Sequence, residues 1–433
     1  MTPAPFYFIP MENNQTNIPK KRILVLADFA CNTGFGNVAQ NIVSQILLEE
    51  RVDYWVDVVG INYYGEPNTW QRFYPKVRLF SASMSSRGDL WGREYFLELA
   101  SSGEYDYLWV LQDTFIVKTI AKELKQIHEM LPADKKFTWI YYFPLDATPP
   151  DDWITDAVAA AHIPVSYTKW AKGLCTNVSP ELESKIEVIP HGVDTGIFNV
   201  LDPDEVKVWR TKYFHGHADG RVLLTNVNRN QPRKDIGRTL QVAQYMKKIY
   251  PGKYLFYMHM KPKDVGVDVV RAATSMGLEM YKDYVIPNKQ YDANKFPASL
   301  LNYVYNASDA IISTALGEGW GLSLTEAMAT KTPVFAPNHT AVADVCNYGS
   351  FATLCAASNE IIIANDNEVI RKQTDIVDMA QKIDAAFSQE WSRKTMNSTC
   401  ELAYKHVVSN LDWNTVGQAW RDLLFRSTPN KSE

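Results

Sequence analysis

The chain has 433 residues, 46% of them apolar and 21% charged, with a formal net charge of -5. These proportions belong to a globular protein and exclude general disorder. The acidic balance excludes a surface that is basic all round, as nucleic acid or an anionic membrane would demand, and leaves only a local groove open. Five scattered cysteines, Cys31, Cys175, Cys346, Cys355 and Cys400, form no CxxC pair. That fits reduced thiols in a cytoplasmic protein better than a zinc ribbon or a disulfide framework. No apolar run reaches the ~18 residues of a membrane span. At roughly 150 residues per domain the length predicts two or three domains. Residues 1–21 are broken by prolines and lack the charged-then-apolar order of a secretory signal, so a tail or surface segment is expected there.

Short apolar runs then alternate with helix-like segments. Ile23–Asp28 reads as a buried strand and Val38–Leu48 as a helix. Further strands are expected at Tyr54–Ile61, Asp106–Gln112, Lys136–Phe143, Ile163–Tyr167 and Ile186–Pro190. The pattern restarts with strands at Val222–Val227, Tyr254–Met260, Ala310–Thr314 and Thr332–Ala336. Helices are expected at Asp235–Tyr250, Val267–Met276, Leu300–Ala307 and Leu322–Ala329. Continuous apolar strands separated by helices predict parallel sheets covered on both faces. Gly and Pro punctuate the break near Pro190–Val200. The expected division is 1–192, 193–409 and a last amphipathic helix within 410–433. Two such α/β units would turn the C-terminal ends of their strands toward one cleft, where ligands of open α/β sheets bind.

Five segments carry candidate chemistry. In Asp28–Ala39 (DFACNTGFGNVA), Gly34, Gly36 and Ala39 fit G-x-G-x-x-A between a strand and a helix. Such glycines let backbone approach a phosphate at a helix N-terminus; the plainer alternative is a strand–helix turn. Asp57 has the spacing of a dinucleotide site but falls inside its strand. Ser313–Val334 (STALGEGWGLSLTEAMATKTPV) sets Glu318 before a Gly-rich turn and Glu326 one turn into the following helix. Amides around Gly319, Trp320, Gly321, Leu322 and Ser323 lie at the positive end of that helix and suit a diphosphate. Glu326 can accept bonds from ribose hydroxyls, and Glu318 can reach a sugar hydroxyl. Val227–Asp235 (VNRNQPRKD) places Arg229, Arg233 and Lys234 after a strand, where they can neutralise a leaving diphosphate or form a solvated cluster. Asp146, in Tyr141–Pro150 (YYFPLDATPP), is either an acceptor-side carboxylate or a turn residue. His191 and Gly192, in PHGV, read as hinge structure, with a positive φ expected at Gly192. Asp202-Pro203-Asp204 is a helix start, so no metal site is expected. Tyr63, Tyr64, Trp70 and Trp91 can stack on a ligand or fill a core.

Together these residues resemble a retaining glycosyltransferase of the GT-B fold, most like glycosyltransferase family 4. Gly317–Ala329 is similar to that family's E-x7-E motif, Pro190–Asp194 to its interdomain PHGVD element and Thr33–Gly36 to its N-terminal Gly loop. Arg229 and Lys234 match its Arg…Lys donor-phosphate pair. Leu411–Phe425, with Trp413, resembles its final helix, which crosses back to the first domain. Phe143–Asp146 stands where the family often has His or His-Asp, Lys331 replaces a glycine, and Asn338–Ala343 lacks the usual Gly-Gly. The resemblance implies transfer from a nucleoside diphosphate sugar, UDP- or GDP-type, with retention, by a metal-independent front-face route and without a cofactor. It assigns catalytic roles to Glu318, Asp146, Arg229 and Lys234. Donor contacts fall to Gly34, Gly36, Arg229, Arg233, Lys234, residues 319–323 and Glu326. The resemblance leaves the acceptor open among a glycan, a small molecule, a protein and a modified base in DNA. A nicotinamide oxidoreductase built on Gly34, Gly36, Ala39 and Asp57 and a catalytically silent binding scaffold are the other classes considered.

Overall fold

The computed structural model describes residues 18–427 except 69, 85–87, 288–295 and 365. The ends of the expected tail and of the last segment, 1–17 and 428–433, lie outside the described residues. Seven parallel strands form the first sheet: β1 (Lys20–Asp28), β2 (Asp53–Ile61), β3 (Val77–Ser81), β4 (Tyr107–Leu111), β5 (Thr138–Phe143), β6 (Ile163–Ser166) and β7 (Glu187–Val188), in the order β3-β2-β1-β4-β5-β6-β7. Six more form a second parallel sheet: β8 (Val222–Val227), β9 (Tyr254–His259), β10 (Tyr284–Val285), β11 (Ala310–Ile312), β12 (Val334–Pro337) and β13 (Thr353–Cys355), in the order β10-β9-β8-β11-β12-β13. A separate antiparallel pair, β14 (Ala357–Ile361) and β15 (Arg371–Thr374), belongs to neither sheet.

The apolar runs become the central strands because they are buried on both faces; Ile23–Ala27 and Tyr107–Leu111 are nearly inaccessible. Each sheet reverses its strand order at the centre, between β1 and β4 in the first and between β8 and β11 in the second. A crevice opens at such a point beyond the strand ends. Four of the five candidate segments follow β1, β5, β8 and β11, at the strand ends that face these crevices, and the fifth, with His191 and Gly192, follows the edge strand β7.

Some expectations need correction. β1 starts at Lys20, so the segment before it is shorter than expected, and Lys21 pairs with Asp106 at 3.1 Å. Strands β3, β10, β13, β14 and β15 add to the expected set. Gly192 does not have a positive φ. Its reason is space: a Cβ there would lie 2.3 Å from Cδ2 of Trp413.

That approach belongs to the return of the chain. The Val193 N–H donates to the Leu411 carbonyl at 2.6 Å, and the Trp413 N–H to the Val193 carbonyl at 3.3 Å. The helix Trp413–Arg426 then packs on the first domain. Trp420 is fully buried and meets Trp109 and Tyr142 edge-on, with ring centroids 5.8 and 4.9 Å apart. The Tyr107 hydroxyl donates to the Leu424 carbonyl at 3.0 Å. Lys331, at the family's glycine position, has φ +59°. Backbone bonds from the Lys331 N–H to the Met328 carbonyl at 3.1 Å and from the Thr332 N–H to the Ala327 carbonyl at 3.0 Å close the helix end in this conformation, which favours glycine, and the lysine side chain pairs with Glu401 at 2.7 Å over the ring of Tyr404. Among the described residues no helix is long and apolar enough to cross a membrane.

Candidate active site

The second domain supplies a charged knot. After β11 the chain turns through Gly317–Gly321 into the helix Leu322–Ala329, with Gly321 at φ +93° as its N-cap. Two hydrogen bonds hold this turn to the loop after β8: the Leu316 N–H donates to the Arg233 carbonyl at 2.8 Å, and the Thr314 hydroxyl to the Asp235 carbonyl at 2.9 Å. That brings Lys234 Nζ onto Glu318 Oε1. Arg233 Nη1 donates to the Gly317 carbonyl at 3.1 Å and to Glu318 Oε2 at 3.2 Å. Burial raises the Glu318 carboxyl, but Lys234 and Arg233 outweigh it and hold it below the ordinary value. Burial also pulls Lys234 down to about 8 despite Glu318. The Glu318 N–H donates to Thr340 Oγ1 at 3.3 Å. Thr340, at φ +52°, lies in the segment that departs from the family's Gly-Gly.

Glu326 sits one turn into the same helix and accepts from the Tyr305 hydroxyl at 2.5 Å. Burial pushes its carboxyl up to about 7, while the Tyr305 hydroxyl pulls it the other way. Trp320 turns its indole inward, bonding Thr325 Oγ1 at 3.3 Å with its ring 5.5 Å from that of His191. Leu322 faces the first domain: a Cβ on Gly34 would lie 3.6 Å from its Cδ1. The Gly loop after β1 thus stands opposite the helix N-terminus after β11. Gly36 serves the loop itself, since a Cβ there would lie 2.6 Å from the Cys31 carbonyl. Thr33 caps the helix Gly34–Ile46 and donates to Asp28 at 2.6 Å.

The first domain contributes Asp146 from the loop after β5. Its Oδ1 accepts from Arg371 Nη1 at 2.9 Å, and its Oδ2 lies 3.6 Å from Arg233 Nε. Burial raises the Asp146 carboxyl; Arg233 and Arg371 outweigh it, and the group stays below its usual range. Asp113, just beyond β4, is raised to about 6, first by burial and then by the Asp146 charge. The contact between domains is close here. A Cβ on Gly317 would lie 1.8 Å from the Asp146 carbonyl, and one on Gly319 3.4 Å from Pro144 Cβ.

Not every candidate joins this cluster. Arg229 is mostly exposed and pairs with Asp264 at 2.8 Å, while its neighbour Arg233 takes the cationic place beside Lys234. Asp57 is buried and accepts from Arg22, Arg78 and Tyr105, a structural role that occupies both oxygens. Asp202 caps its helix by accepting from Asp204 N–H and Glu205 N–H. The aromatic group divides: Tyr63 is buried and Trp70 stacks on Tyr74 at 4.5 Å, whereas Tyr64 and Trp91 are exposed. Sequence reasoning missed Arg371, Tyr305, Thr340 and Asp113. Only Asp113 had a local signal, as a carboxylate directly after an apolar strand.

Two Rossmann-like parallel-sheet domains meeting at their strand C-termini, with a helix returning to the first, define the GT-B class of fold. Residues 285–403 match the family described as Glycosyl transferases group 1. A probable sucrose-phosphate synthase of Thermosipho melanesiensis is 24% identical over 184 residues, which span 42% of this chain and 40% of that protein. Among solved structures, sucrose-phosphate synthase from Thermosynechococcus elongatus superposes with a TM-score of 0.68 at 14% identity, over 94% of this chain and 100% of that one. A glycosyltransferase from Rickettsia africae gives 0.68 at 15% identity, covering 95% and 100%. Anabaena HepE, in complex with UDP and glucose, gives 0.65 at 14%, covering 94% and 100%.

Proposed function

We propose that this protein is a cytoplasmic, retaining glycosyltransferase that moves a sugar from a nucleoside diphosphate sugar to an acceptor hydroxyl without a metal ion. The observation that carries this reading is the Lys234–Glu318–Arg233 knot at a helix N-terminus, opposite the Gly34 loop and Asp146. Cations and free amides meet there at one end of a cleft, as a departing diphosphate requires. Glu326, one turn further, suits ribose hydroxyls. Glu318 stands between the phosphate region and the first domain, where a donor sugar would lie. HepE, of the same fold, was solved with UDP and glucose, which favours a UDP-type donor over a GDP-type one.

In a front-face reaction the acceptor oxygen bonds to the anomeric carbon on the side from which the phosphate leaves. The acceptor proton passes to a departing phosphate oxygen, so no protein nucleophile takes part. Lys234 and Arg233 stabilise the charge that grows on the diphosphate, with Arg229 an outer contributor, and Asp146 orients the acceptor. Calorimetric titration with UDP- and GDP-sugars, then an acceptor screen with the best donor and proton NMR of the product anomer, tests this. Absence of binding by every nucleotide sugar defeats the reading; an inverted product defeats its stereochemistry.

A further inference from the structure

Asp146 stands on the acceptor side of the cleft in the reading above, and the inference here rests on that reading. What holds Asp146 comes from the other domain. Arg371 opens β15 of the hairpin that belongs to neither sheet, and it is only 4% exposed. Its Nε and Nη2 grip both oxygens of Asp366, at 2.6 and 3.0 Å. Its Nη1 reaches across the cleft and donates to both the Asp146 carboxylate, at 2.9 Å, and the Asp146 carbonyl, at 2.8 Å.

A guanidinium is planar, so a bidentate carboxylate on one edge sets the direction of its remaining N–H groups. Arg371 is therefore aimed at Asp146 by its own hairpin and has little freedom to follow the loop elsewhere. The fit is tight on the third side as well: a Cβ on Gly317 would lie 2.6 Å from Arg371 Nη1. Hairpin, donor turn and acceptor loop meet at one point. We propose that Arg371 is a positioning residue, delivered by the β14–β15 hairpin of the second domain, which sets the direction of the Asp146 carboxylate only when the two domains are docked. Acceptor-side and donor-side groups are then assembled by one event. A lysine at this position cannot make both the Asp366 clasp and the paired bonds to Asp146.

The groups facing Asp146 are Arg371 from the hairpin, Arg233 and Lys234 from the loop after β8, Glu318 from the donor turn and Asp113 from the end of β4. Arg371→Gln removes one cation and the carbonyl tether; Asp366→Asn keeps the charge and loosens its aim. Hydrogen exchange of the Leu145–Thr148 amides should quicken about tenfold in Arg371→Gln, and in the same direction but less in Asp366→Asn and Arg371→Lys. Turnover in transfer should fall about 10²-fold in Arg371→Gln, the scale of a misplaced reacting group, with UDP affinity within about threefold of the parent. Arg371→Lys should recover part of the rate, and both milder variants keep the test open where Arg371→Gln fails to fold. Parental exchange in all three variants overturns the proposal, and so does a loss of UDP affinity at unchanged turnover, which would make Arg371 a donor contact. Where the parent transfers no sugar, the glycosyltransferase reading fails, and the exchange measurement still decides on the positioning role.

Discussion

Lys234 and Glu318 lie 84 residues apart in the chain and form a buried ion pair, their side chains only 11% and 8% exposed. The pair occupies the place into which a donor diphosphate would bring two further negative charges. On the proposed reading, Glu318 and the phosphates would compete for the same two cations, Lys234 and Arg233. Glu318→Gln should tighten UDP binding while lowering turnover. A gain on the order of tenfold, about 1.4 kcal/mol, is reasonable for lifting one like charge at this range. Thermal stability without ligand should fall, because Lys234 loses its buried partner. Calorimetry with UDP at constant salt checks this, and an unchanged dissociation constant would show that Glu318 does not compete.

On the proposed reading, Lys234 should give donor binding a basic limb. Burial holds its ammonium down to about 8 in the ligand-free protein. Below that pH the group is charged and ready for a diphosphate. Above it the amine is neutral, and binding has to take up a proton. UDP affinity should thus fall as pH rises through 8, by up to about tenfold per unit. Lys234→Arg keeps the charge and should abolish the limb. Titrations at pH 7 and 9 in buffers of different protonation enthalpy measure the proton uptake directly.

On the same reading, Glu326 should give an acidic limb. Burial pushes its carboxyl up to about 7, so it is half neutral near that pH. A carboxylate accepts ribose hydroxyls better than a neutral acid does, and affinity should fall as pH drops through 7. Glu326→Ala should cost something like 1.5–3 kcal/mol of UDP affinity, the range of a hydrogen bond to a charged group. Glu326→Gln should lose the acidic limb and leave the basic one. If the parent shows no change between pH 8 and 6, Glu326 does not hold the ribose.

The part of the candidate site in the second domain was legible because its signals are local. A buried strand, a glycine turn and two glutamates with seven residues between them lie within one stretch, and a basic loop follows another apolar strand. The central strands were legible for the same reason. The edge strand β3 alternates buried and exposed residues over a short span. In the hairpin, β14 reads ASNEI and β15 RKQT, with no apolar run to mark a strand. Arg371 acts on a residue 225 positions away, and nothing near it in the chain announces that. The Arg229–Lys234 spacing fitted the family pair, yet a three-residue 3-10 turn, Pro232–Lys234, carries Arg233 onto Glu318, while Asp264 engages Arg229. Motif spacing located the loop and Lys234, but of the two arginines it is Arg233, not Arg229, that joins Lys234 on Glu318.

Gly192 separates two explanations of one glycine. Positive φ predicts that any side chain costs about the same whatever its surroundings. Close approach predicts a cost that depends on residue 413, since a Cβ at position 192 would lie 2.3 Å from the Trp413 ring. Trp413 begins the helix that returns to the first domain, and its N–H bonds the Val193 carbonyl at 3.3 Å. Pushing the indole aside therefore strains the junction between linker and helix. Gly192→Ala should cost about 1–3 kcal/mol, the range for overpacking a filled interior. Trp413→Leu will itself destabilise by leaving a cavity, but in that background Gly192→Ala should cost at least about 1 kcal/mol less. The two positions touch, so their effects should not add. Tm values of the two single variants and the double variant, with the parent, complete the cycle. Additive losses would mean that the indole is not what requires glycine at 192.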